Sequence, residues 1–559
     1  MNGGCLLGST GNGILDPLMR IFGSVDSFVE TSGTLRLGRL VANATFLEAL
    51  LRHGPFDRHE IFCATEAERA RLHGHLGALP DGGRLRSRLD LRLHLDLPSR
   101  MREAPWEVMH FGGWSRYLPP MAWLRATLSP RNFPLTGLIH SIDGPSQAGN
   151  LRRLVAAPLG GADSILCTST AGRQAFRRQL GIVAAREGLP WSARLDHVPL
   201  GVEEKFFSPP PRAQARARLG IPASAKVALW IGRISATSKA DLNPLLYQWR
   251  SLAADDGNRL LVIAGGSSGS ELDALSRSVA ELGLSRPVRL LPDVDDARKM
   301  DLLAAADVFV SPVDNLQETF GISVVEAMAA GLPVIASDWD GYKDLVEDGL
   351  TGIRIPVDWT PPPPDLLLLR QVLEPALDQF VWSQGVAPDP TALRGALEDL
   401  LTDSGKAAAM GAAGRKRARD LFSWQAVIRR CSEVWSELAR EAVDHPVPGR
   451  GGVDPEILDP AEVFEGYATR PPSGPRGVAA LTDLAREILA GKAPMPATFS
   501  DLMPLSDGKL LTSLVLGLRS GPTDSDTHLR ACAAATGRSR EEAAWLFAWL
   551  RKYGLVEPV

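Results

Sequence analysis

Two glutamates eight positions apart, Glu318 and Glu326, are the residues of this chain whose type and spacing most clearly predict chemistry. Glu318 follows the apolar run DVFVSP and is expected in the loop at a strand end. Glu326 is expected one to two turns inside the helix that Gly321 opens. The free N–H groups at the start of a helix carry partial positive charge and suit a phosphate. A phosphate flanked by two carboxylates that bind hydroxyl groups describes a sugar nucleotide, with Glu318 on the hexose and Glu326 on the ribose.

Two cations are predicted at a neighbouring strand end. The strand-like run VALWIG ends at Gly232, Arg233 follows it, and Lys239 comes six residues later at the expected start of a helix. Arginine binds a diphosphate as a bidentate fork and lysine binds it as a point charge. For either motif alone, the alternative is a set of solvated surface charges. Their occurrence on the same predicted sheet edge favours a binding site.

Strand-like runs alternate with helical stretches in two successive series, 19–200 and 201–420. This alternation predicts an α/β protein with parallel sheets covered on both faces. We expect two Rossmann-like doubly wound domains that face a cleft, with ligands bound at the carboxyl ends of the strands. Four consecutive prolines cannot lie inside a helix or a central strand, so 357–389 is interpreted as an insertion with a short helix.

The remaining segments are distinguished by composition. We expect a glycine-rich flexible extension over 1–18, a crossover helix over 421–444, and a linker rich in Pro and Gly over 445–475. Residues 476–559 are predicted to form a small, mostly helical C-terminal domain.

Four successive motifs resemble those of glycosyltransferase family 4, which has the GT-B fold. They are GRISATSK, VIAGGSSGSE, LLPDVDDARKMDLLAAADVFVSP and QETFGISVVEAMAAGLPVIASD, and the similarity extends over about 195–440. The resemblance implies a retaining enzyme that transfers a hexose-type sugar from a nucleotide diphosphate sugar, UDP- or GDP-linked, to a hydroxyl acceptor without a metal. Polysaccharide, protein, peptide and small-molecule acceptors stay open. The alternatives are an epimerase or hydrolase of the same fold, and a non-catalytic scaffold that binds nucleotide sugars.

The resemblance also assigns roles to residues of this chain. Arg233 and Lys239 would neutralise the diphosphate, and Glu318 would contact the transferred sugar. His140 would lie near the reacting sugar; the alternative is a hydrogen-bonded strand-end histidine, and His110 is a further candidate. The other donor-binding positions that the resemblance implies are Gly33 in the glycine-rich first loop, Gly232, Gly265, Gly266, Val294 in the base-binding loop 292–294, Thr319, Phe320, Gly321, Ile322 and Glu326.

The chain departs from the family pattern in SDWDGYKDLV, where family members often show a double glycine. Asp338 and Asp340 form a D-x-D sequence, which binds a divalent cation in transferases of the other major fold. Because Arg233 and Lys239 already supply countercharge, we interpret these aspartates as caps of the helix at Gly341. The departure leaves the identity of the donor sugar open.

Composition restricts the class of protein. The chain has 559 residues, more than one core organises, and 45% of them are hydrophobic, as in globular proteins. A net charge of −4 gives no reason to expect nucleic acid as a partner. Five scattered cysteines, no 18-residue apolar run and no convincing signal peptide predict a reduced, cytoplasmic protein.

The C-terminal stretch HLRACAAATGRSREEAAWLFAWLRKYGLVEPV is similar to a winged-helix module. Residues 450–559 contain more acidic than basic side chains, which argues against DNA binding. We expect 476–559 to contact a protein or peptide or to mediate dimerisation; the alternative is a helical cap packed on the transferase. Trp545, Phe547 and Trp549 are expected in the core of this module.

Overall fold

The computed structural model describes residues 19–26, 28, 38–144, 146–267, 269–449, 451–467, 477–496, 500–505 and 507–559. The predicted extension 1–18 and Gly33 lie outside the described residues. The chain divides into two compact units. The first unit runs to residue 61 and includes 75–90 and 103–452, and the second comprises 62–74, 91–102 and 453–559.

The first sheet has seven strands in the order β3-β2-β1-β4-β5-β6-β7, with parallel pairing from β2 to β7. The strands are β1 (Ile21–Ser24), β2 (Arg58–Cys63), β3 (Leu89–Leu93), β4 (Val108–Phe111), β5 (Leu135–Leu138), β6 (Ser164–Cys167) and β7 (Arg194–His197). The helices in this part of the chain are α1 (Gly38–His53), α2 (Glu66–Gly77), α3 (Gly82–Arg86), α4 (Leu97–Glu103), α5 (Trp114–Leu128), α6 (Gln147–Ala156) and α7 (Thr170–Glu187). Strands β1, β4, β5 and β6 are buried at every position, as expected for a sheet covered on both faces.

The second sheet has six parallel strands in the order β10-β9-β8-β11-β12-β13, the Rossmann order. Its strands are β8 (Lys226–Ile231), β9 (Arg259–Gly265), β10 (Val288–Pro292), β11 (Val308–Ser311), β12 (Val334–Ser337) and β13 (Gly352–Ile355). The helices in this part of the chain are α8 (Arg212–Leu219), α9 (Asn243–Asp255), α10 (Gly269–Glu281), α11 (Asp296–Ala305), α12 (Ile322–Ala329) and α13 (Tyr342–Leu345). The predicted α/β class with two Rossmann-like domains is confirmed.

The segment 357–389 contains two strands and two short helices. Strands β14 (Val357–Trp359) and β15 (Val386–Pro388) pair antiparallel around α14 (Pro364–Leu369) and α15 (Pro375–Ser383). The chain continues through α16 (Pro390–Thr402), α17 (Ser404–Arg417), a π-helical turn (Ala418–Phe422) and α18 (Trp424–Asp444).

Helix α18 returns to the first sheet and packs against α1. The Trp435 ring lies 5.7 Å from Phe22 and 5.8 Å from Phe56, centre to centre. Its indole Nε1–H donates a hydrogen bond of 3.2 Å to Thr136 Oγ1 on β5. The last helix of this unit therefore fastens the second Rossmann-like domain to the first.

A buried ion pair fixes the start of β5. Arg125 donates two hydrogen bonds, of 2.7 and 2.8 Å, to the Asp163 carboxylate, and neither side chain is exposed to solvent. Asp163 also accepts the Leu135 N–H at 2.9 Å. Since β5 leads directly to His140, this pair holds one side of the candidate site in place.

The second unit contains an antiparallel three-stranded sheet in the order β17-β16-β18. Its strands are β16 (Val478–Leu481), β17 (Thr523–Asp524) and β18 (Val556–Pro558), and the helices after residue 453 are α19 (Pro460–Val463), α20 (Asp483–Leu489), α21 (Gly508–Leu516), α22 (Ser525–Thr536) and α23 (Arg540–Lys552). Phe547 is buried in this unit's core and Trp549 packs partly against it. The prediction that Trp545 lies in the core is wrong, because Trp545 is 51% exposed. The winged-helix interpretation and the contact role of 476–559 stay predictions.

The four cysteines in the described part of the chain, Cys63, Cys167, Cys431 and Cys532, are buried free thiols. Within the same part, no helix combines the length and the apolar character that crossing a bilayer requires.

Candidate active site

The loop between β11 and α12 carries Glu318, and Asn315 holds this loop in shape. The Asn315 Oδ1 atom accepts the N–H groups of Gln317 at 2.8 Å and of Glu318 at 2.9 Å. Its Nδ2 donates to the main-chain carbonyl of Lys239. One amide side chain therefore joins the glutamate loop to the backbone that carries the predicted lysine.

Glu318 and Lys239 form an ion pair in which both side chains are largely shielded, 19% and 15% exposed. Burial alone would raise the pKa of Glu318, but the charge and hydrogen bond of Lys239 outweigh it and hold this pKa below its usual value. Burial likewise opposes the charged form of Lys239, yet the Glu318 charge raises the Lys239 pKa. Both groups are therefore ionised at neutral pH.

Arg233 follows the end of β8, close enough to Glu318 for its charge to help lower the pKa of that carboxyl. Its Nη1 donates to Ser238 Oγ at 3.1 Å. Lys239 lies in a turn closed by its own N–H, which donates to the Ser235 carbonyl at 2.9 Å. The expected helix start at Lys239 is wrong, because α9 begins only at Asn243. The turn nevertheless brings both cations to the Glu318 loop.

Gly265 lets the ends of β8 and β9 approach closely. Its φ is +141°, and a Cβ atom there would lie 1.8 Å from the Gly232 carbonyl oxygen, so only glycine fits. A Cβ at Gly266 would meet nothing nearer than Asp293 Oδ1, at 3.9 Å. The Asp293 N–H donates to the Gly265 carbonyl at 2.9 Å, which places the loop 292–294 beside these glycines. Val294 in that loop packs partly against the core.

Gly321 begins α12 with a φ of +107°, and a Cβ there would lie 2.2 Å from the Tyr342 ring. Phe320 is buried, and its ring meets Phe422 edge-on at 5.9 Å. Only the backbone of Phe320 is therefore available to a ligand, and its N–H donates to Glu318 Oε1 at 3.3 Å. Ile322, the first residue of the helix, packs partly against the same core.

Glu326 lies on α12 and is almost fully buried, with 5% of the residue exposed. It forms an ion pair with Lys299 of α11. Burial is the largest influence on Glu326 and raises its pKa, although the charge and hydrogen bond of Lys299 oppose this shift. Glu326 therefore lies on the helix that follows the Glu318 loop, and it pairs with a different lysine from Glu318.

Thr319 connects the glutamate loop to the first sheet. Its Oγ1 donates to the His140 carbonyl at 2.9 Å, and its own carbonyl accepts from Thr168 Oγ1 at 3.0 Å. His140 and Thr168 follow the ends of β5 and β6. The structure therefore brings His140 and Glu318, which are far apart in sequence, to the facing strand ends of two sheets.

The two candidate histidines have different surroundings. His140 is half-buried, and its Nε2–H donates to the Gly112 carbonyl, with Asn43 Oδ1 at 3.1 Å. His110 is fully buried among aromatic rings and bonds to Thr136 Oγ1 at 2.9 Å. Burial lowers the pKa of His110 to about 3, as expected for a neutral histidine packed in the core.

The D-x-D turn has partners within the protein. The Asp340 Oδ1 atom accepts the Tyr342 N–H at 3.0 Å, at the start of α13, and Asp338 pairs with Arg354 at 2.9 Å. Among the described residues, no group of three or more His, Cys, Asp or Glu side chains could hold a metal ion.

Several residues of this site were missed by sequence reasoning. Asp314 is buried, and both of its carboxylate oxygens accept the Asp241 N–H at 3.3 Å. Burial raises the pKa of Asp314 to about 7. Tyr342 is buried beneath the site with its hydroxyl 2.9 Å from Ser311 Oγ. The available signal was the polar pair that follows the buried strand VFVS, Asp314 and Asn315. Lys299 gave no sequence signal, because only the fold brings α11 next to α12.

Residues 211–360 match the sequence model of the family described as "Glycosyl transferases group 1". A D-inositol 3-phosphate glycosyltransferase from Thermobispora bispora is 32% identical over 255 residues, which cover 44% of this chain and 51% of that protein. The enzyme of the same name from Nocardia farcinica is 37% identical over 167 residues, covering 29% and 36%. The chain therefore spans about half, or less, of the length of these curated relatives.

Two solved structures resemble the fold. A glycosyltransferase from Rickettsia africae aligns with a TM-score of 0.53 and 14% identity over 75% of this chain and 98% of that one. Anabaena HepE in complex with UDP aligns with a TM-score of 0.50 and 18% identity over 75% and 100%. At such identities the likeness concerns the fold alone. The chain has the GT-B fold, and its residues 211–360 carry the sequence pattern of the glycosyl transferases group 1 family.

Proposed function

We propose that this protein is a retaining glycosyltransferase that moves a hexose-type sugar from a nucleotide diphosphate sugar to a hydroxyl acceptor. The observation that carries this proposal is the Lys239–Glu318 ion pair at the strand ends of the second sheet. Arg233 lies beside this pair, and Thr319 joins its loop to the His140 strand end of the first sheet. Cations for a diphosphate and a carboxylate for a sugar therefore meet between two Rossmann-like domains.

The ion pair supports a role in both binding and catalysis. A donor diphosphate would compete with Glu318 for Lys239, because both are anions within reach of one ammonium group. Once Lys239 and Arg233 bind the diphosphate, the Glu318 carboxylate is free to accept hydrogen bonds from the sugar. Charge that develops on the leaving diphosphate is then stabilised by groups already in position.

We expect transfer on a single face of the sugar. The Glu318 carboxylate is ion-paired with Lys239, so we do not expect it to attack the sugar and form a covalent intermediate as in retaining glycosidases. The acceptor oxygen would bond to the anomeric carbon on the face from which the diphosphate leaves. The bond from that carbon to the phosphate oxygen breaks, and the acceptor proton passes to the departing phosphate oxygen.

The other predicted residues complete the donor site. The loop 292–294 would take the base, Glu326 the ribose, and the glycines at 265, 266 and 321 would let the donor approach the backbone. Because Arg233 and Lys239 supply positive charge, we propose that turnover needs no metal. The HepE structure was determined with UDP, which favours a UDP-sugar, with a GDP-sugar as the second choice.

Donor binding followed by turnover tests this proposal. Thermal unfolding is measured with UDP-, GDP- and ADP-sugars for the wild type and for Lys239→Met, and bound donor should raise the wild-type midpoint only. Lys343→Met, at an exposed lysine on α13, is the matched control and should respond like the wild type. The stabilising donor is then incubated with an acceptor panel that includes D-inositol 3-phosphate, the acceptor in the relatives' names, and NMR reads the anomer formed.

The outcomes separate the proposal from its alternatives. Acceptor-dependent transfer with retained configuration supports it. Hydrolysis or epimerisation of the donor without any acceptor would assign a different reaction to the same fold. Binding without turnover across the panel would indicate a scaffold, and no binding by the wild type would refute the donor site itself.

A further inference from the structure

The turn after β12 is fixed against the glutamate loop at two points. A Cβ at Gly341 would lie 2.4 Å from the Thr319 carbonyl oxygen and 2.7 Å from the Phe320 Cα, so the two backbones touch. The Trp339 indole Nε1–H donates to the Asn315 carbonyl at 2.7 Å. Asp340, between these two contacts, is therefore held beside the predicted sugar-binding carboxylate.

Asp340 adopts a conformation that is unfavourable for most residues with a side chain. Its φ is +45°, in the left-handed region that glycine occupies most easily. The Oδ1 atom caps α13 through the Tyr342 N–H, but Oδ2 is shielded from solvent and has no hydrogen-bond partner among the described residues. Buried polar atoms nearly always have a partner, so an unpartnered carboxylate oxygen calls for an explanation.

The charges around Asp340 indicate what its partner would be. Burial and the nearby Glu318 carboxylate raise the pKa of Asp340 well above its usual range, although Lys239 draws it down. A phosphate placed directly beside Asp340 would be repelled by the Glu318 carboxylate. A neutral hydroxyl group can donate to or accept from either form of the Asp340 carboxyl group, so it fits where a phosphate does not.

Asp338, two residues earlier in the same turn, shows the contrast. Its carboxylate pairs with Arg354 at 2.9 Å, and its N–H donates to the Ile355 carbonyl at 2.7 Å. The side chain is 38% exposed. The Asp338 Oδ1 atom lacks a well-oriented hydrogen bond, but the Arg354 charge compensates it, so Asp338 provides a matched control in the same turn.

We propose that Asp340 determines specificity for the donor sugar: its Oδ2 hydrogen-bonds one hydroxyl group of the transferred sugar, beside Glu318. This proposal rests on the proposed function, since it names a further contact in the same donor site. Asp340, which replaces the first glycine of the double glycine frequent in the family, would then select the donor sugar in this protein.

Deoxy-sugar donors test the assignment. The donor that turnover identifies is compared with its monodeoxy analogues for the wild type, Asp340→Asn, Asp340→Gly and Asp338→Asn, and kcat/KM is measured. A site built to bond a hydroxyl discriminates strongly against the analogue that lacks it. For one analogue, we expect the wild type to lose about 100-fold, whereas Asp340→Gly should lose less than about fivefold relative to its own rate with the parent donor.

Two readouts guard against a purely structural effect. Asparagine tolerates φ +45° and keeps an oxygen for the Tyr342 N–H, whereas glycine loses that bond but suits φ +45°, so both Asp340 variants should fold with a midpoint close to that of the wild type. UDP or GDP without a sugar should stabilise these variants as much as the wild type, because the contact is to the sugar. Asp338→Asn should show the wild-type pattern across all analogues.

The results distinguish this proposal from the one beneath it. Wild-type transfer combined with equal losses for wild type and Asp340→Gly at every deoxy position would overturn the Asp340 assignment alone. A lower midpoint in both Asp340 variants with unchanged donor selectivity would also overturn it. If the wild type neither bound nor transferred any donor, both proposals would be overturned.

Discussion

The two glutamate–lysine pairs of the second Rossmann-like domain look alike but differ electrostatically. Glu318 pairs with Lys239 and Glu326 pairs with Lys299. Both carboxylates are withdrawn from solvent, yet the pKa of Glu318 is lowered and the pKa of Glu326 is raised. The surroundings therefore favour the anionic form of Glu318 and disfavour the anionic form of Glu326.

The surroundings explain the difference. Glu318 is stabilised by Lys239, by the Phe320 N–H and by the charge of Arg233, so three favourable contacts outweigh burial. Glu326 faces burial with Lys299 as its main support, while Glu203 repels it. In the proposed site, a carboxylate near the reacting sugar would keep its charge, whereas one that binds ribose hydroxyls would not need to.

The largest expected effect separates the two lysines. Lys239→Met removes the positive charge that would stabilise the leaving diphosphate. We therefore expect kcat/KM to fall by about 100- to 1,000-fold, as when one preorganised hydrogen-bond donor is deleted. Lys299→Met should cost only about tenfold, mostly in KM, since Lys299 supports a binding residue. Steady-state kinetics with the identified donor measures both. Equal losses in the two variants would contradict the distinction.

The two glutamates should separate in the same way. Glu318→Gln should lower kcat by about 100-fold, because it weakens contacts to the sugar in the transition state. Glu326→Gln would weaken the proposed hydrogen bonds to the ribose by about 1.5 kcal/mol, and it should raise the donor KM about tenfold with little change in kcat. Initial rates over a range of donor concentrations test this. A Glu326→Gln variant with normal KM would remove the ribose assignment.

Gly321 lies between Glu318 and the helix that carries Glu326. Gly321→Ala adds a Cβ that collides with Tyr342 at φ +107°, and we expect about 3 kcal/mol of lost unfolding free energy. Gly331→Ala at the other end of α12, at φ +86°, meets nothing nearer than Arg415 at 3.9 Å and should cost about 1 kcal/mol. Urea unfolding gives both values. Similar losses would mean that the Tyr342 contact relaxes freely.

Acidification should change the stability of the wild type in opposite directions relative to Glu318→Gln and to Glu326→Gln. Since the folded pKa of Glu318 is depressed, its stabilisation is present above the unfolded pKa of about 4.5 and is lost as pH falls through the folded value. The folded pKa of Glu326 is raised, so its contribution is complete below about pH 4.5 and is lost as pH rises through the folded value.

Unfolding midpoints between about pH 3 and pH 7 measure this, because the Glu318 change lies below the unfolded pKa. As the pH falls, the wild type should lose stability relative to Glu318→Gln and gain stability relative to Glu326→Gln. Changes of the same sign in both comparisons would show that the two pairs have the same electrostatic character. This is the smallest of the four effects, because each comparison follows a single titrating group.

Residue patterns predicted the fold class and the main polar residues of the site, but not the contacts among them. Alternating apolar runs fix strands and helices because burial on both faces of a parallel sheet requires them. Lys239 and Glu318 were predicted from motifs, yet the Asn315 bridge between their backbones depends on a turn that sequence spacing did not reveal. Trp545 was assigned to a core by its neighbours, and the structure leaves it half exposed.

The sequence by itself determined two Rossmann-like domains and which side chains stand at the strand ends, because periodicity and glycine positions are local properties of the chain. Tertiary structure alone decided which charges meet. Lys299 of α11 reaches Glu326 of α12 only through the fold, and Thr319 reaches His140 only because two sheets face each other. The opposite pKa shifts of the two glutamates follow from these non-local contacts, since burial and neighbouring charge depend on distance in space and not on distance along the chain.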